Sequence, residues 1–96
     1  MLEAYYQSKL KKRIKERFPG AIVLKTDPSQ LQGAPDLLIL HKDKWAALEV
    51  KKSSKATKQP NQEYYVNKMN DMSFSSFIFP ENEEEVLNAM ERTFET

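Results

Sequence analysis

Ninety-six residues, of which 40% are hydrophobic, 10% aromatic and 30% charged, make one domain over 1–96 with one core and room for one site, and exclude a two-domain scheme. The absence of cysteine excludes a disulfide framework, thiolate chemistry and cysteine-bound zinc, and a single histidine, His41, excludes a two-histidine metal site. The net charge of +1 selects no partner, and with neither an apolar run of membrane-spanning length nor a secretory leader pattern the expectation is a cytoplasmic protein that does not enter a membrane.

Residues 2–18 read as a helix closed by Pro19-Gly20. Leu2, Tyr6, Leu10, Ile14 and Phe18 fall on one arc about 160° wide, with Glu3 inside it and so expected on the core side. Arg13 and Arg17 lie on or near that arc, and Lys9, Lys11, Lys12 and Lys15 lie outside it or at its edge. Residues 21–25 read as a short strand, followed by a polar loop from Thr26 to Pro35. Strands over 36–41 and 45–51, with Lys42, Asp43 and Lys44 between them, read as a hairpin, apolar at nearly every position and so expected in the middle of a covered sheet. Lys52 to Pro60 is a basic loop. Residues 61–70 form a helix with Gln62, Tyr65, Val66 and Met69 on one face, and residues 75–79 a fourth strand. Asn82 and Glu85 read as the start signal of a last helix, whose apolar stripe is Val86, Leu87, Met90 and Phe94. The expected order is αβββαβα, an α/β fold with helices flanking a small mixed sheet.

Charge is unevenly spread. Residues 1–18 hold six Lys and Arg against two acids, residues 81–96 one Arg against six Glu, and Lys51, Lys52, Lys55 and Lys58 form a second basic run. Either basic segment could track phosphates or be a solvated face.

Three charges break the apolar hairpin at one end: Asp36 at the head of one strand, and Glu49 and Lys51 on a common face of the other. Asp36 shares that face only if the turn holds an even number of residues, such as Asp43-Lys44, or if a bulge shifts the register. Two such carboxylates repel unless a cation lies between them, and hard oxygen donors suit Mg²⁺ or Mn²⁺. Taken singly, Asp36 also reads as a turn residue after Pro35, and Glu49 with Lys51 as an exposed edge patch. Those readings leave unexplained why the apolar runs on both strands stop here.

Gly33-Ala34-Pro35-Asp36 followed by Glu49-Val50-Lys51 resembles the PD-(D/E)XK nuclease signature. Glu3 in the first helix, and Gln62 and Tyr65 after the lysine strand, match further positions of that pattern. Within the superfamily the chain is similar to small stand-alone VRR-NUC proteins of phages and bacteria. The resemblance implies a restriction-endonuclease-like αβββαβ core with a C-terminal helix, and Mg²⁺-dependent hydrolysis of DNA phosphodiesters. It implies Asp36, Glu49, the Val50 carbonyl and Glu3 as metal ligands, Lys51 beside the attacking water or the phosphate, and Gln62 as a positioning group. Lys11, Lys12, Lys25, Lys52, Lys55, Lys58 and Tyr65 are the expected DNA contacts. By analogy the substrate is branched DNA such as a four-way junction, cut by a homodimer for which Tyr64 beside Tyr65 is a candidate interface, in the host cytoplasm if phage-encoded. The alternatives are a flap, nick or single-strand nuclease of a phage replication or packaging complex, and a non-catalytic DNA-binding domain of the same fold.

Overall fold

A computed structural model describes residues 2–96. The chain forms α1 (Glu3–Arg17), β1 (Ile22–Lys25), β2 (Leu37–His41), β3 (Lys44–Val50), α2 (Pro60–Met72), β4 (Phe74–Ile78), a short 3₁₀ turn (Pro80–Asn82) and α3 (Glu83–Glu95). The sheet order is β1-β2-β3-β4, antiparallel between the first three strands and parallel between β3 and β4, so the sheet is mixed and the apolar hairpin strands are its inner pair. The parallel β3–β4 pair requires a crossover, and α2 supplies it.

Alternation along the strands divides the molecule into two unequal layers. Leu37, Ile39, Ala46, Leu48, Val50 and Ile78 face α1 and α3, and with Tyr6, Leu10, Ile14, Phe18, Val86, Leu87, Met90 and Phe94 they form the buried core. The α1 and α3 stripes expected from sequence are therefore those buried, with two exceptions at the start of α1. Leu2 is 78% exposed and Glu3 is exposed. The expectation that both face the core fails because only the three helical turns after Glu3 lie over the sheet. His41 packs its ring against Phe18 and Phe94, with ring centroids 5.8 and 5.3 Å away, and is part of this layer's edge.

On the opposite face α2 lies mainly over β3 and β4. Ile22, Leu24 and Leu40 on that side are 54%, 46% and 36% exposed, so the expected full cover of the hairpin is not realised over β1 and β2.

Much of the charge asymmetry between the chain's two ends is consumed internally. Glu83 accepts from Arg13 Nε at 2.6 Å, from Arg13 Nη2 at 2.8 Å and from the Tyr6 hydroxyl at 2.8 Å. Arg17 reaches Glu84, Glu91 and Asn88. Burial raises the Glu83 carboxyl, but hydrogen bonds from Arg13 and Tyr6 outweigh it and hold its pKa below the usual range. The acidic C-terminal helix is thus the partner of the basic first helix, and the Arg residues of α1 are occupied. Asn82 does not cap α3 as its N-x-x-E pattern predicts. Pro80 opens a 3₁₀ turn first, and the Asn82 side chain accepts from Phe79 N and donates to the Phe77 carbonyl instead.

Candidate active site

The hairpin turn sets the site. β3 begins at Lys44, so the turn is Lys42-Asp43, a two-residue connection whose first position has φ 59°, in the left-handed region. The even count satisfies the parity condition, though with a different residue pair from the one expected. Leu37 lies opposite Leu48, and continuing that register by one pair sets Asp36 against Glu49. The approach to Asp36 is pinned as well. Thr26 Oγ1 donates to the Pro35 carbonyl at 2.7 Å, Thr26 N donates to the Asp36 carbonyl at 2.8 Å, and Pro35 is fully buried.

From this base four side chains join in one hydrogen-bonded cluster. Asp36 Oδ2 accepts from Val50 N at 2.9 Å, and the Asp36 and Glu49 carboxyls share a hydrogen bond. Glu49 Oε2 accepts from Gln62 Nε2 at 3.2 Å, and Gln62 Oε1 accepts from Lys51 Nζ at 2.9 Å. Gln62 Oε1 also accepts from Gln59 N at 3.0 Å, closing the first turn of α2, where Pro60 occupies a position that has no N–H to lose. An ammonium and a backbone N–H on one side, with a carboxyl on the other, leave one orientation for the Gln62 amide. Gln62 is therefore locked by the start of α2 and in turn fixes Lys51 relative to Glu49.

Electrostatically the cluster is strained toward neutrality. Glu49 is 3% exposed and Lys51 8%. Burial first, then the Asp36 charge and its hydrogen bond, push the Glu49 carboxyl up to about 8, with a further rise from Glu3 and only a partial offset from Lys51. Among the described residues no ion pair joins Lys51 to either acid, since its ammonium is turned to Gln62. Two adjacent, poorly neutralised carboxylates of hard oxygen are a donor set that fits a divalent cation of the Mg²⁺ type, which takes one or two carboxylates and completes its shell with water and phosphate.

Other expected site residues stand apart. Glu3 lies near enough to act on Glu49 through space but is exposed and outside the hydrogen-bonded cluster. Among the described residues no three of Asp, Glu, His or Cys converge on one ion position, so the acid pair is the carboxylate contribution. Lys25 pairs with Leu37 and so ends β1 at the Asp36 end of the sheet, exposed. Lys52 and Lys55 are exposed in the loop after β3, which Glu81 anchors through Ser54 N and Oγ. Lys58 lies over the Phe77 and Phe79 rings. Lys12 is exposed and Lys11 half-buried on α1. Tyr65 is half-buried and meets Tyr64 edge-to-face at 5.0 Å, and neither hydrogen-bonds to the cluster. Gly33, at φ +93°, has Asn61 Cγ 2.7 Å from where a Cβ would be, so the loop before Asp36 rests on the start of α2, a contact that the sequence does not announce.

The mixed four-stranded sheet, with helices on both faces, a C-terminal helix and an acid pair at the end of its inner hairpin, is a restriction-endonuclease-like architecture. More particularly, the chain is similar to a solved structure described as a VRR_NUC domain: 28% identity over 75% of this chain and 81% of that one, with a TM-score of 0.58. No family model matches the chain, and no curated protein does.

Proposed function

We propose that this protein is a metal-dependent DNA endonuclease acting on branched DNA. The observation that carries the reading is the Asp36–Glu49–Gln62–Lys51 cluster, and the likeness to a VRR_NUC domain supports it. Asp36, Glu49 and the Val50 carbonyl would hold Mg²⁺, or Mn²⁺ in its place, with Glu3 contributing through water. When bound, the ion supplies Lewis-acid neutralisation of phosphate charge and a more acidic water. Lys51 faces the phosphate from beside the acid pair and stabilises the negative charge that grows on its oxygens, while Gln62 holds the ammonium and the Glu49 carboxylate at fixed spacing. Exposed Lys12, Lys25, Lys52, Lys55 and Lys58, with the half-buried Lys11, contact backbone phosphates, and Tyr65 acts through packing of the α2 face near Gln62.

One chain carries one acid pair, so cutting two strands symmetrically requires two chains. The uncovered β1–β2 face supports a second copy as the occupant. Ile22, Leu24, Leu38, Leu40, Trp45 and Met72 form an apolar surface there, and this replaces Tyr64 as the interface we favour. Among the described residues no helix is long and apolar enough to cross a membrane, so that surface is not explained by a helical span.

The test is a panel of end-labelled four-way junctions, flaps, nicked duplex, single strands and plain duplex with Mg²⁺ or Mn²⁺. Each is run with the wild type and with Asp36→Ala, Glu49→Ala and Lys51→Ala. Cleavage concentrated on the junction and abolished by each substitution is expected. Concentration on flaps or single strands would move the substrate to that class, and cleavage unchanged in all three variants would end the nuclease reading.

A further inference from the structure

A groove of about 350 Å³ lies between α2 and the edge strand β4, at the lower end of the size of small-molecule sites. It lies one strand from the acid pair, because Phe77 of its lining is the β4 partner of Glu49. Its chemistry is mixed in a particular way. The Phe77 and Phe79 rings line it with the Lys58 ammonium 4.9 and 5.8 Å from their centroids, which places aromatic surface and positive charge together. Ser75 also lines it. Its hydroxyl is fully buried, beneath the groove surface and out of reach of a ligand in it. Asn70 gives its carbonyl oxygen to Ser75 N at 3.0 Å, leaving its amide N–H groups available, and the exposed Asn67 adds a second amide.

An apolar side chain from a protein would leave the Asn67 and Asn70 amides unmatched, and an inorganic anion would make no use of two rings. A planar heterocycle with donor and acceptor edges, carrying a phosphate toward Lys58, matches the rings, the amides and the ammonium. We propose that this groove receives one unpaired nucleobase next to the scissile phosphate, stacked on Phe77 and Phe79, with its edge read by Asn67 and Asn70. This deepens the nuclease reading and rests on it for the identity of the ligand as DNA. Because a base already out of the stack enters such a pocket at least cost, the site selects DNA with an unpaired nucleotide at the cleavage position over perfect duplex.

The test is binding in EDTA, so that cleavage is not what is read, using duplex with a single unpaired 2-aminopurine and the same duplex fully paired. The unpaired site is expected to bind about 5- to 150-fold more tightly, the range that stacking of one base represents, with its fluorescence quenched on binding. Phe77→Leu and Phe79→Leu remove the preference and the quenching while leaving affinity for paired duplex in place. Asn67→Ala, on the exposed face of α2, lowers the preference about 2- to 12-fold, the worth of one hydrogen bond, without a risk of unfolding. Equal binding of the two DNAs, or a preference that survives both ring substitutions in variants with wild-type melting, overturns the proposal. Failure of the cleavage panel with the preference intact would instead overturn the proposed function and leave the base groove standing.

Discussion

Replacing Glu49 by Gln tests the electrostatic account of the site directly, because it changes one charge and almost no volume. Gln can still accept from Gln62 Nε2 and can donate to Asp36, so the hydrogen bonds of the cluster survive. The carboxyl is raised from 4.5 to about 8, by burial first and by Asp36 second. A carboxyl whose folded pKa lies above its unfolded one costs nothing below about 4.5, where both states are protonated. It lowers stability progressively as pH rises toward about 8, because the unfolded chain releases the proton first. At about 1.4 kcal/mol per pKa unit the cost at high pH is on the order of a few kcal/mol and at most about 5 kcal/mol. For a domain of this size each kcal/mol corresponds to a Tm difference of roughly 4–8 °C. Glu49→Gln is therefore expected to melt well above the wild type at pH 8.5 in EDTA and close to it at pH 4.5. Mg²⁺ is expected to raise the Tm of the wild type and not that of the variant, since the ion replaces the proton between the two acids. Thermal unfolding followed by circular dichroism at the two pH values, with and without Mg²⁺, reads all four quantities. A variant less stable than the wild type at pH 8.5 in EDTA would refute the reasoning, as would equal stabilisation of both proteins by Mg²⁺.

Lys51→Ala is expected to lower kcat on the cleaved DNA about 10²- to 10³-fold with little change in binding measured in EDTA, as the loss of one charge-stabilising donor does. Single-turnover kinetics beside a binding isotherm separates the two. Gly33→Ala meets both an unfavourable φ and the Asn61 side chain, so a loss of more than about 1 kcal/mol in urea unfolding is expected. Pairing it with Asn61→Ala should recover part of that loss in a double-mutant cycle. Leu24→Glu on the uncovered sheet face is expected to convert a dimer to a monomer in sedimentation velocity without lowering the Tm of the monomeric fold. A monomeric wild type would remove the homodimer from the proposal.

The element order was legible because each segment buries one clear stripe. Leu10, Ile14, Val86, Leu87, Met90 and Phe94 are all in the core at the spacing that the sequence carries. What fixes the site was less legible. The face shared by Asp36 and Glu49 depends on whether the turn holds two residues or three, and Lys42-Asp43-Lys44 offers neither Gly nor Asn to mark the left-handed position that Lys42 adopts. Glu3 lies off the core because a helical arc carries no information on where the sheet beneath it ends. The Asn82 cap pattern takes no account of Pro80 two residues earlier, whereas Pro60 marks the start of α2 although the loop reading of Lys52 to Pro60 places it outside the helix. Phe77 and Phe79 look like any strand residues, and nothing local in the sequence shows that the groove beside them stays open.

The arrangement of the cluster also answers why so small a domain keeps a buried glutamate against an aspartate. A Leu at position 49 would suit the burial better, and a Lys51 turned onto Glu49 would neutralise it. The fold does neither. Gln62, held by the first turn of α2, draws the Lys51 ammonium to its carbonyl oxygen and offers Glu49 only an amide N–H. The acids are thereby kept close and hydrogen-bonded but short of positive charge, and the positive end of the α2 dipole, at Pro60 to Gln62, lies beside them without closing the gap. A site built for stability would have completed that ion pair. One that withholds the lysine leaves the acids short of positive charge, which a divalent cation would relieve, and under the proposed function Lys51 would meet the phosphate that arrives with it.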